Sequence, residues 1–167
     1  HRRLIDIGAA TGEFAAAAAA DGWEAVACEV GDEARATASA KGLASVRSVE
    51  EASGSFGLIT MFHVLEHLED PRAYLEAARA LLRPGGRLIV QVPDAACWQF
   101  RLLGAAWTGV DVPRHLVNFR ARDLEALLAS QGFEVLRRKH FNLRDNPAGL
   151  ASSLAPVLDP MARRVRR

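Results

Sequence analysis

The sequence has few cysteines and no long uninterrupted apolar segment. Only Cys28 and Cys97 occur among 167 residues, which is too few for a disulfide framework and lacks the spacing of zinc ligands. Scarce cysteine is typical of a reducing compartment, so we expect a cytoplasmic protein. No apolar run is long enough to span a bilayer, and no signal peptide is visible.

The sequence also has almost no net charge. Its 21 Lys and Arg residues oppose 20 Asp and Glu residues, which leaves a formal net charge of +1. No overall field would attract a polyanion, and no RNA-binding motif is visible, so we expect no nucleic-acid partner. The basic cluster at residues 163–167 is the only segment that suggests contact with a membrane surface.

Length and composition indicate one globular domain over residues 1–167. The chain is long enough to bury a core without covalent cross-links. Hydrophobic residues make up 50% and charged residues 25%, as in ordinary folded domains. A strand pattern is present by Leu4 without an initiator Met, so we expect this chain to be part of a longer protein.

Strand and helix patterns alternate along the chain at the spacing of βαβ units. Short apolar runs predict strands over residues 4–7, 24–28, 44–46, 56–62, 88–92 and 133–138. Helices are predicted over residues 12–21, 32–40 and 121–130, and a further helix starts at Asp70 and ends at a turn over residues 84–86. The alternation predicts an α/β, Rossmann-like, doubly wound and mostly parallel sheet with helices on both faces.

Residues 94–119, after the fifth strand, are too many for a simple connection. They include Trp98, Phe100 and Trp107. Because ligand sites gather aromatic walls, we predict that this insertion forms a cap over an acceptor site and favours an aromatic or lipid-like small molecule. The alternative is that these aromatic residues form a local apolar core of the insertion itself, and the two roles are compatible.

A turn of small residues follows the first strand. Gly8, Ala10 and Gly12 lie where open α/β sheets bind ligands, and small residues let a ligand approach the backbone. Glu29, at the end of the second strand, is placed to accept hydrogen bonds from two ribose hydroxyls. A tight structural turn with a solvated Glu29 is the alternative.

The ligand of such a turn is a dinucleotide or S-adenosylmethionine. The dinucleotide fingerprint requires glycine at its first, third and sixth positions, which here are Gly8, Ala10 and Glu13. The Glu13 carboxylate would repel a pyrophosphate at the start of the helix. S-adenosylmethionine carries an ammonium and a sulfonium group and no phosphate, which suits Asp6 at the strand end.

Four stretches of the sequence carry a family resemblance: residues 4–12 (LIDIGAATG), 56–71 (FGLITMFHVLEHLEDP), 81–93 (LLRPGGRLIVQVP) and 115–133 (HLVNFRARDLEALLASQGF). Together they resemble the class I S-adenosylmethionine-dependent methyltransferases, in particular the group with the ubiquinone-biosynthesis O-methyltransferases. The resemblance implies methyl transfer to a small molecule, preferably to oxygen, with S-adenosylhomocysteine as product. The family usually has glycine in place of Ala10, helices before the first strand and a final antiparallel strand, for which no candidate is visible after Asn142.

The resemblance also implies which residues bind the donor. They are Asp6, Gly8, Ala10, Gly12, Glu29, Val30, Val49, Met61, Phe62 and His63. The first four would line the methionine and ribose. Glu29 would hold the ribose hydroxyls, with Val30 against the adenine face and Val49 near its edge. The last three would face the reaction centre.

His67 and His115 are the predicted catalytic bases, because histidine titrates near neutral pH and a hydroxyl acceptor must lose a proton. Structural roles stay open for both, with Glu66 and His67 ordering a loop. Glu66, His67 and His115 have the chemistry of metal ligands, but adjacent residues rarely aim at one point, so no metal is predicted. Two further alternatives are an NAD-type oxidoreductase domain and a non-catalytic S-adenosylmethionine-binding module.

Overall fold

The N-terminal half of the chain forms one sheet of five parallel strands. In the computed structural model, which describes residues 2–140, these are β1 (Arg3–Ile7), β2 (Glu24–Cys28), β3 (Ala44–Val46), β4 (Phe56–Phe62) and β5 (Leu82–Gln91). Their order across the sheet is β3-β2-β1-β4-β5. Strand order reverses beside β1, so the predicted doubly wound α/β fold is confirmed.

Three helices connect these strands: α1 (Glu13–Ala20), α2 (Asp32–Ala40) and α3 (Pro71–Leu81). The chain moves outward from β1 to β3 and then returns to β4 on the other side of β1. Because parallel crossovers are right-handed, α1 and α2 cover one face of the sheet and α3 covers the other. The α3 helix starts where Asp70 accepts hydrogen bonds from the backbone N–H groups of Arg72 and Ala73, a common N-cap.

The strands at the centre of the sheet are buried on both faces. Leu4 of β1 pairs in register with Ala25 of β2 and Leu58 of β4, and this row packs with Ala15 of α1. The inner face of α1 is lined mainly by small alanine side chains, and Ala15 is fully buried there. The next residue of β1, Ile5, is fully buried on the opposite face.

The beginning of β5 differs from the prediction. We predicted a strand over residues 88–92, preceded by a turn at residues 84–86, whereas β5 begins at Leu82, directly after α3. Phe56 pairs with Leu82 and Leu58 pairs with Arg87, so the extra residues form a bulge. A Cβ on Gly86 would lie 2.9 Å from the Arg83 carbonyl oxygen, so the bulge requires glycine there.

The described residues from Pro93 onward belong to a second compact unit. Its described part contains α4 (Trp98–Leu103), a 3₁₀ turn (Gly104–Ala106) and α5 (Ala121–Ser130). The helix over residues 121–130 is confirmed. The strand predicted over residues 133–138 is wrong, because that segment pairs with no strand among the described residues and an apolar run becomes a strand only beside a partner.

Two expectations about the C-terminal end lie outside the described residues. These are the final antiparallel strand and the basic cluster at residues 163–167. Within residues 2–140, no helix has the length and apolar character needed to cross a membrane.

Candidate functional site

The turn between β1 and α1 requires small residues for its backbone conformation. Gly8, Ala10 and Gly12 have φ values of 73°, 46° and 79°, in the left-handed region that favours glycine. A Cβ on Gly8 would also lie 2.5 Å from Val64, and one on Gly12 would lie 2.8 Å from Leu43. The turn therefore has one close-fitted shape, with Gly8 and Ala10 exposed along it.

The Glu29 carboxylate is held beside this turn, directly after β2. Its Oε2 accepts a hydrogen bond from the Ala10 backbone N–H at 2.8 Å, and its Oε1 accepts one from the Gly31 N–H at 2.8 Å. A carboxylate oxygen has two lone pairs, so each oxygen keeps one for a further donor. The arrangement presents two acceptors at a fixed place, which suits two adjacent hydroxyls.

Val30 and Val49 differ in what they offer to a ligand. Val30 follows Glu29 and is 67% exposed, whereas Val49 is only 3% exposed. An exposed apolar side chain beside a fixed carboxylate suits the flat face of a purine. The Val49 side chain belongs to the core, and its neighbour Glu50 is the exposed residue at that position.

Asp6 is a buried acid near the end of β1. It pairs in register with Thr60 of β4, whose hydroxyl donates a 2.6 Å hydrogen bond to Asp6 Oδ1. Burial raises the pKa of Asp6 from 3.8 to about 6, although the Thr60 hydrogen bond lowers it in part. Near neutral pH the strand end therefore carries a negative charge that is poorly solvated and would interact favourably with a cation.

The three residues predicted at the end of β4 lie in different environments. Met61 is fully buried, so its side chain contributes to the core. Phe62 is half-buried and contacts Phe14 of α1 edge to face, with ring centroids 5.0 Å apart. The sequence reasoning missed Phe14, although it is the one aromatic residue in an alanine-rich helix. His63 is exposed over 47% of its side chain.

Glu66 pairs with His63, a contact that the sequence analysis did not predict. His63 Nδ1 lies 3.1 Å from Glu66 Oε1, and His63 Nε2 lies 2.9 Å from Nε2 of Gln91 in β5. Glu66 is 1% exposed. The sequence signal for this pair is an acid three residues after a histidine at a strand end.

The two predicted bases are held by local contacts. His67 ends a 3₁₀ turn (Leu65–His67), and its backbone N–H donates to the Val64 carbonyl at 2.9 Å. In the C-terminal unit, His115 Nδ1 lies 2.9 Å from the Gly109 carbonyl oxygen, and Asp111 is close to its other nitrogen. These contacts do not distinguish a catalytic from a structural role, so both assignments stay predictions.

Ala10→Gly is expected to leave the free energy of unfolding nearly unchanged. The substitution relieves about 1–2 kcal/mol of left-handed strain, which offsets the backbone entropy that glycine loses on folding. Ala17→Gly, inside α1, is the matched control and should lower the free energy of unfolding by about 1 kcal/mol. Urea denaturation measures both, and an equal loss in the two variants would contradict the strain at Ala10.

Asp6→Asn is expected to stabilise the protein at pH 7.5 but not at acidic pH. The pKa of Asp6 is about 6 in the folded state, whereas its ordinary value, which applies to the unfolded state, is 3.8. Between these two pH values the native state therefore binds more protons than the unfolded state. The free energy of unfolding of the parent therefore falls as the pH rises through this window, by up to about 3 kcal/mol.

Urea denaturation at pH 4.5 and pH 7.5 checks the Asp6 prediction. Asn keeps an oxygen that accepts from Thr60 and carries no charge, so the gain in stability should appear at pH 7.5 and shrink at pH 4.5. The exposed Asp21→Asn variant is the control. A pH-independent difference between Asp6→Asn and the parent would show that burial of Asp6 is not the cause.

Comparison with known proteins identifies the family. A family model described as a methyltransferase domain matches residues 1–138. A ubiquinone biosynthesis O-methyltransferase of Xanthomonas oryzae pv. oryzae is 31% identical over 131 residues, which cover 71% of this chain and 55% of that protein. Another with the same name, from Pectobacterium carotovorum subsp. carotovorum, is 28% identical and covers 95% of this chain and 72% of that protein. The chain thus spans about half the length of the first of these relatives.

Solved structures share the fold. Magnesium protoporphyrin IX methyltransferase from Synechocystis PCC 6803, with bound SAH, has a TM-score of 0.69 at 16% identity, with coverage of 84% of this chain and 68% of that chain. A SAM-dependent methyltransferase from Archaeoglobus fulgidus has a TM-score of 0.64 at 17% identity, with coverage of 99% of this chain and 80% of that chain. The chain belongs to the methyltransferase domain family, whose methyl donor is S-adenosylmethionine.

Proposed function

We propose that this chain binds S-adenosylmethionine at the carboxyl ends of β1, β2 and β4 and transfers its methyl group to a hydroxyl of a small molecule. The observation that carries the donor site is the Glu29 carboxylate, held by the backbone of Ala10 and Gly31. The preference for oxygen is supported by curated relatives named as O-methyltransferases.

The residues at these strand ends fit the donor better than a dinucleotide. Glu29 can accept from both ribose hydroxyls, Val30 offers apolar surface to the adenine, and Asp6 supplies negative charge for the ammonium group. Glu13 occupies the first turn of α1 and forms an ion pair with Lys41. A pyrophosphate at that helix end would face the Glu13 carboxylate, which argues against the NAD-type alternative.

The donor, when bound, supplies an activated methyl group together with its leaving group. The protein then has to hold the acceptor in line, exclude water and take up the hydroxyl proton. Residues 94–119 are our candidates for holding the acceptor. Within that segment Phe100 and Trp107 pack edge to face, and Trp98 is 56% exposed, which supports an aromatic or lipid-like acceptor.

Glu29→Ala is expected to weaken S-adenosylhomocysteine binding at least about tenfold. Hydrogen bonds to a charged acceptor contribute about 1.5–3 kcal/mol each, and 1.4 kcal/mol corresponds to a factor of ten in affinity. Glu29→Asp should fall between the two, because its carboxylate is one methylene shorter. Titration calorimetry measures the affinities, and thermal melting shows that each variant is folded.

Glu33→Ala is the matched control for Glu29, because Glu33 is an exposed acid in the first turn of α2. Its affinity for S-adenosylhomocysteine should equal that of the parent. Unchanged affinity in Glu29→Ala would place the donor elsewhere. Tight NAD binding without any response to S-adenosylmethionine would overturn the proposed function altogether.

The acceptor class is tested with a panel of phenols, catechols and small amines. Release of S-adenosylhomocysteine should be fastest with the hydroxyl compounds, and mass spectrometry should place the new methyl group on oxygen. Methylation confined to the amines would contradict the proposed O-methylation. Donor binding without turnover of any acceptor would favour a non-catalytic binding module.

A further inference from the structure

Three side chains form a hydrogen-bonded chain at the carboxyl ends of β4 and β5. Glu66 Oε1 lies 3.1 Å from His63 Nδ1, and His63 Nε2 lies 2.9 Å from Gln91 Nε2. The His63 backbone N–H also donates to the Gln91 carbonyl at 2.9 Å. The two ends of the His63 ring are therefore both held, while 47% of its side chain is exposed.

Two features of this group of three side chains reduce the stability of the protein. His63 has a φ of 57°, a conformation that costs a non-glycine residue about 1–3 kcal/mol and that clusters at functional sites. Glu66 is 1% exposed, and its Oε2 has no hydrogen-bond partner within residues 2–140. A buried carboxylate that is only partly satisfied is unfavourable, so packing alone does not account for it.

The Glu66 carboxylate determines which nitrogen of His63 carries the proton. A carboxylate only accepts hydrogen bonds, so Nδ1 of the neutral ring must be protonated to pair with it. The Gln91 amide has both a donor and an acceptor, so it can adapt to either state of Nε2. The neutral ring therefore presents a lone pair on Nε2, which is the atom that can accept a proton.

We propose that His63 is a catalytic base for the methyl transfer and that Glu66 is its positioning residue. The inference rests on the proposed function, because a hydroxyl acceptor must lose a proton and a neutral amine acceptor needs no base to attack. In a recurrent catalytic arrangement, an acid pairs with one ring nitrogen of a histidine while the other ring nitrogen takes a proton from the substrate.

The step balances in bonds and charge. The acceptor oxygen forms a bond to the methyl carbon while the carbon–sulfur bond breaks and its electron pair stays on sulfur. The hydroxyl proton moves to His63 Nε2 and passes from there to solvent. The Gln91 amide turns away from Nε2 when the acceptor hydroxyl takes its place.

The first test measures the tautomer of His63 by ¹⁵N NMR and needs no turnover. The five histidines are assigned with single His→Gln variants. In the parent, the neutral His63 ring should carry its proton on Nδ1. In Glu66→Leu it should shift toward Nε2–H, and in the control Glu69→Gln, an exposed acid of the same segment, it should not.

Glu66→Leu should fold, because it removes a partly unsatisfied buried acid and retains apolar bulk. Glu66→Gln serves as a second variant, since it keeps the shape of the side chain and removes its charge. A His63 ring with the Nε2–H tautomer in the parent, or a tautomer unaffected by both Glu66 variants, would overturn the positioning role.

The second test uses 4-nitrocatechol, whose absorption spectrum reports ionisation of its hydroxyl. With the protein and S-adenosylhomocysteine it should ionise on binding, and His63→Gln should abolish this change. With S-adenosylmethionine, His63→Gln should lower kcat about 10²- to 10⁴-fold with little change in donor affinity. His140→Gln, which changes an exposed histidine with no assigned role in the reaction, is the control.

The outcomes separate this inference from the proposed function. Equal ionisation or normal kcat in His63→Gln would overturn the role of His63 as base. The role would also be overturned if His67→Gln or His115→Gln lost turnover and His63→Gln kept it. If the parent protein itself did not bind S-adenosylmethionine, the proposed function would be contradicted, whereas the result on the His63 tautomer would still hold.

Discussion

The register of β1 with its two neighbours is the constraint on which the candidate donor site depends. Ile7 pairs with Cys28 of β2 on one side and with Met61 of β4 on the other. All three side chains are buried, so this row is fixed by packing. The next residue in each strand is Gly8, Glu29 or Phe62, which places the small-residue turn, the carboxylate and an aromatic ring at one edge. A slip of one residue would exchange buried and exposed side chains along a whole strand.

Several features that reduce stability lie at this same edge of the sheet. Asp6 is a buried acid, Ala10 and His63 adopt left-handed conformations, and Glu66 has a partly unsatisfied carboxylate. Elsewhere the sheet has an ordinary apolar core, as the row containing Leu4 shows. Local violations of good packing tend to mark functional sites, because the rest of the fold has to support them.

The sequence was sufficient to predict the secondary-structure elements whose residue pattern is local. Residues 24–28 and 56–62 are strands with the predicted bounds, because short apolar runs between turns have few other stable forms. Residues 133–138 carry a similar pattern but form no strand in the described part of the chain, since pairing depends on a distant partner. The bulge in β5 was missed for the same reason: its extra residues follow from register with β4.

Side-chain direction was harder to predict than position. Met61 and Val49 occupy the expected places, but their side chains face the core, and only the local backbone decides this. His63, which pairs with Glu66, has a positive φ, a conformation that a non-glycine residue rarely adopts and that no sequence pattern predicts. Sequence spacing alone therefore did not reveal that Glu66 pairs with His63.

In the proposed function, donor and acceptor recognition have different physical origins. The proposed donor-site residues lie at strand ends, and the sheet sets the spacing of these ends. In the proposed function, the surface that holds the acceptor comes from segments that the sheet does not position, while His63 at a strand end contacts only its reacting hydroxyl. Residues 94–119 are such a segment, rich in aromatic side chains and built on a short helix and turns. This difference explains why the sequence predicts the donor in chemical detail and the acceptor only as a class.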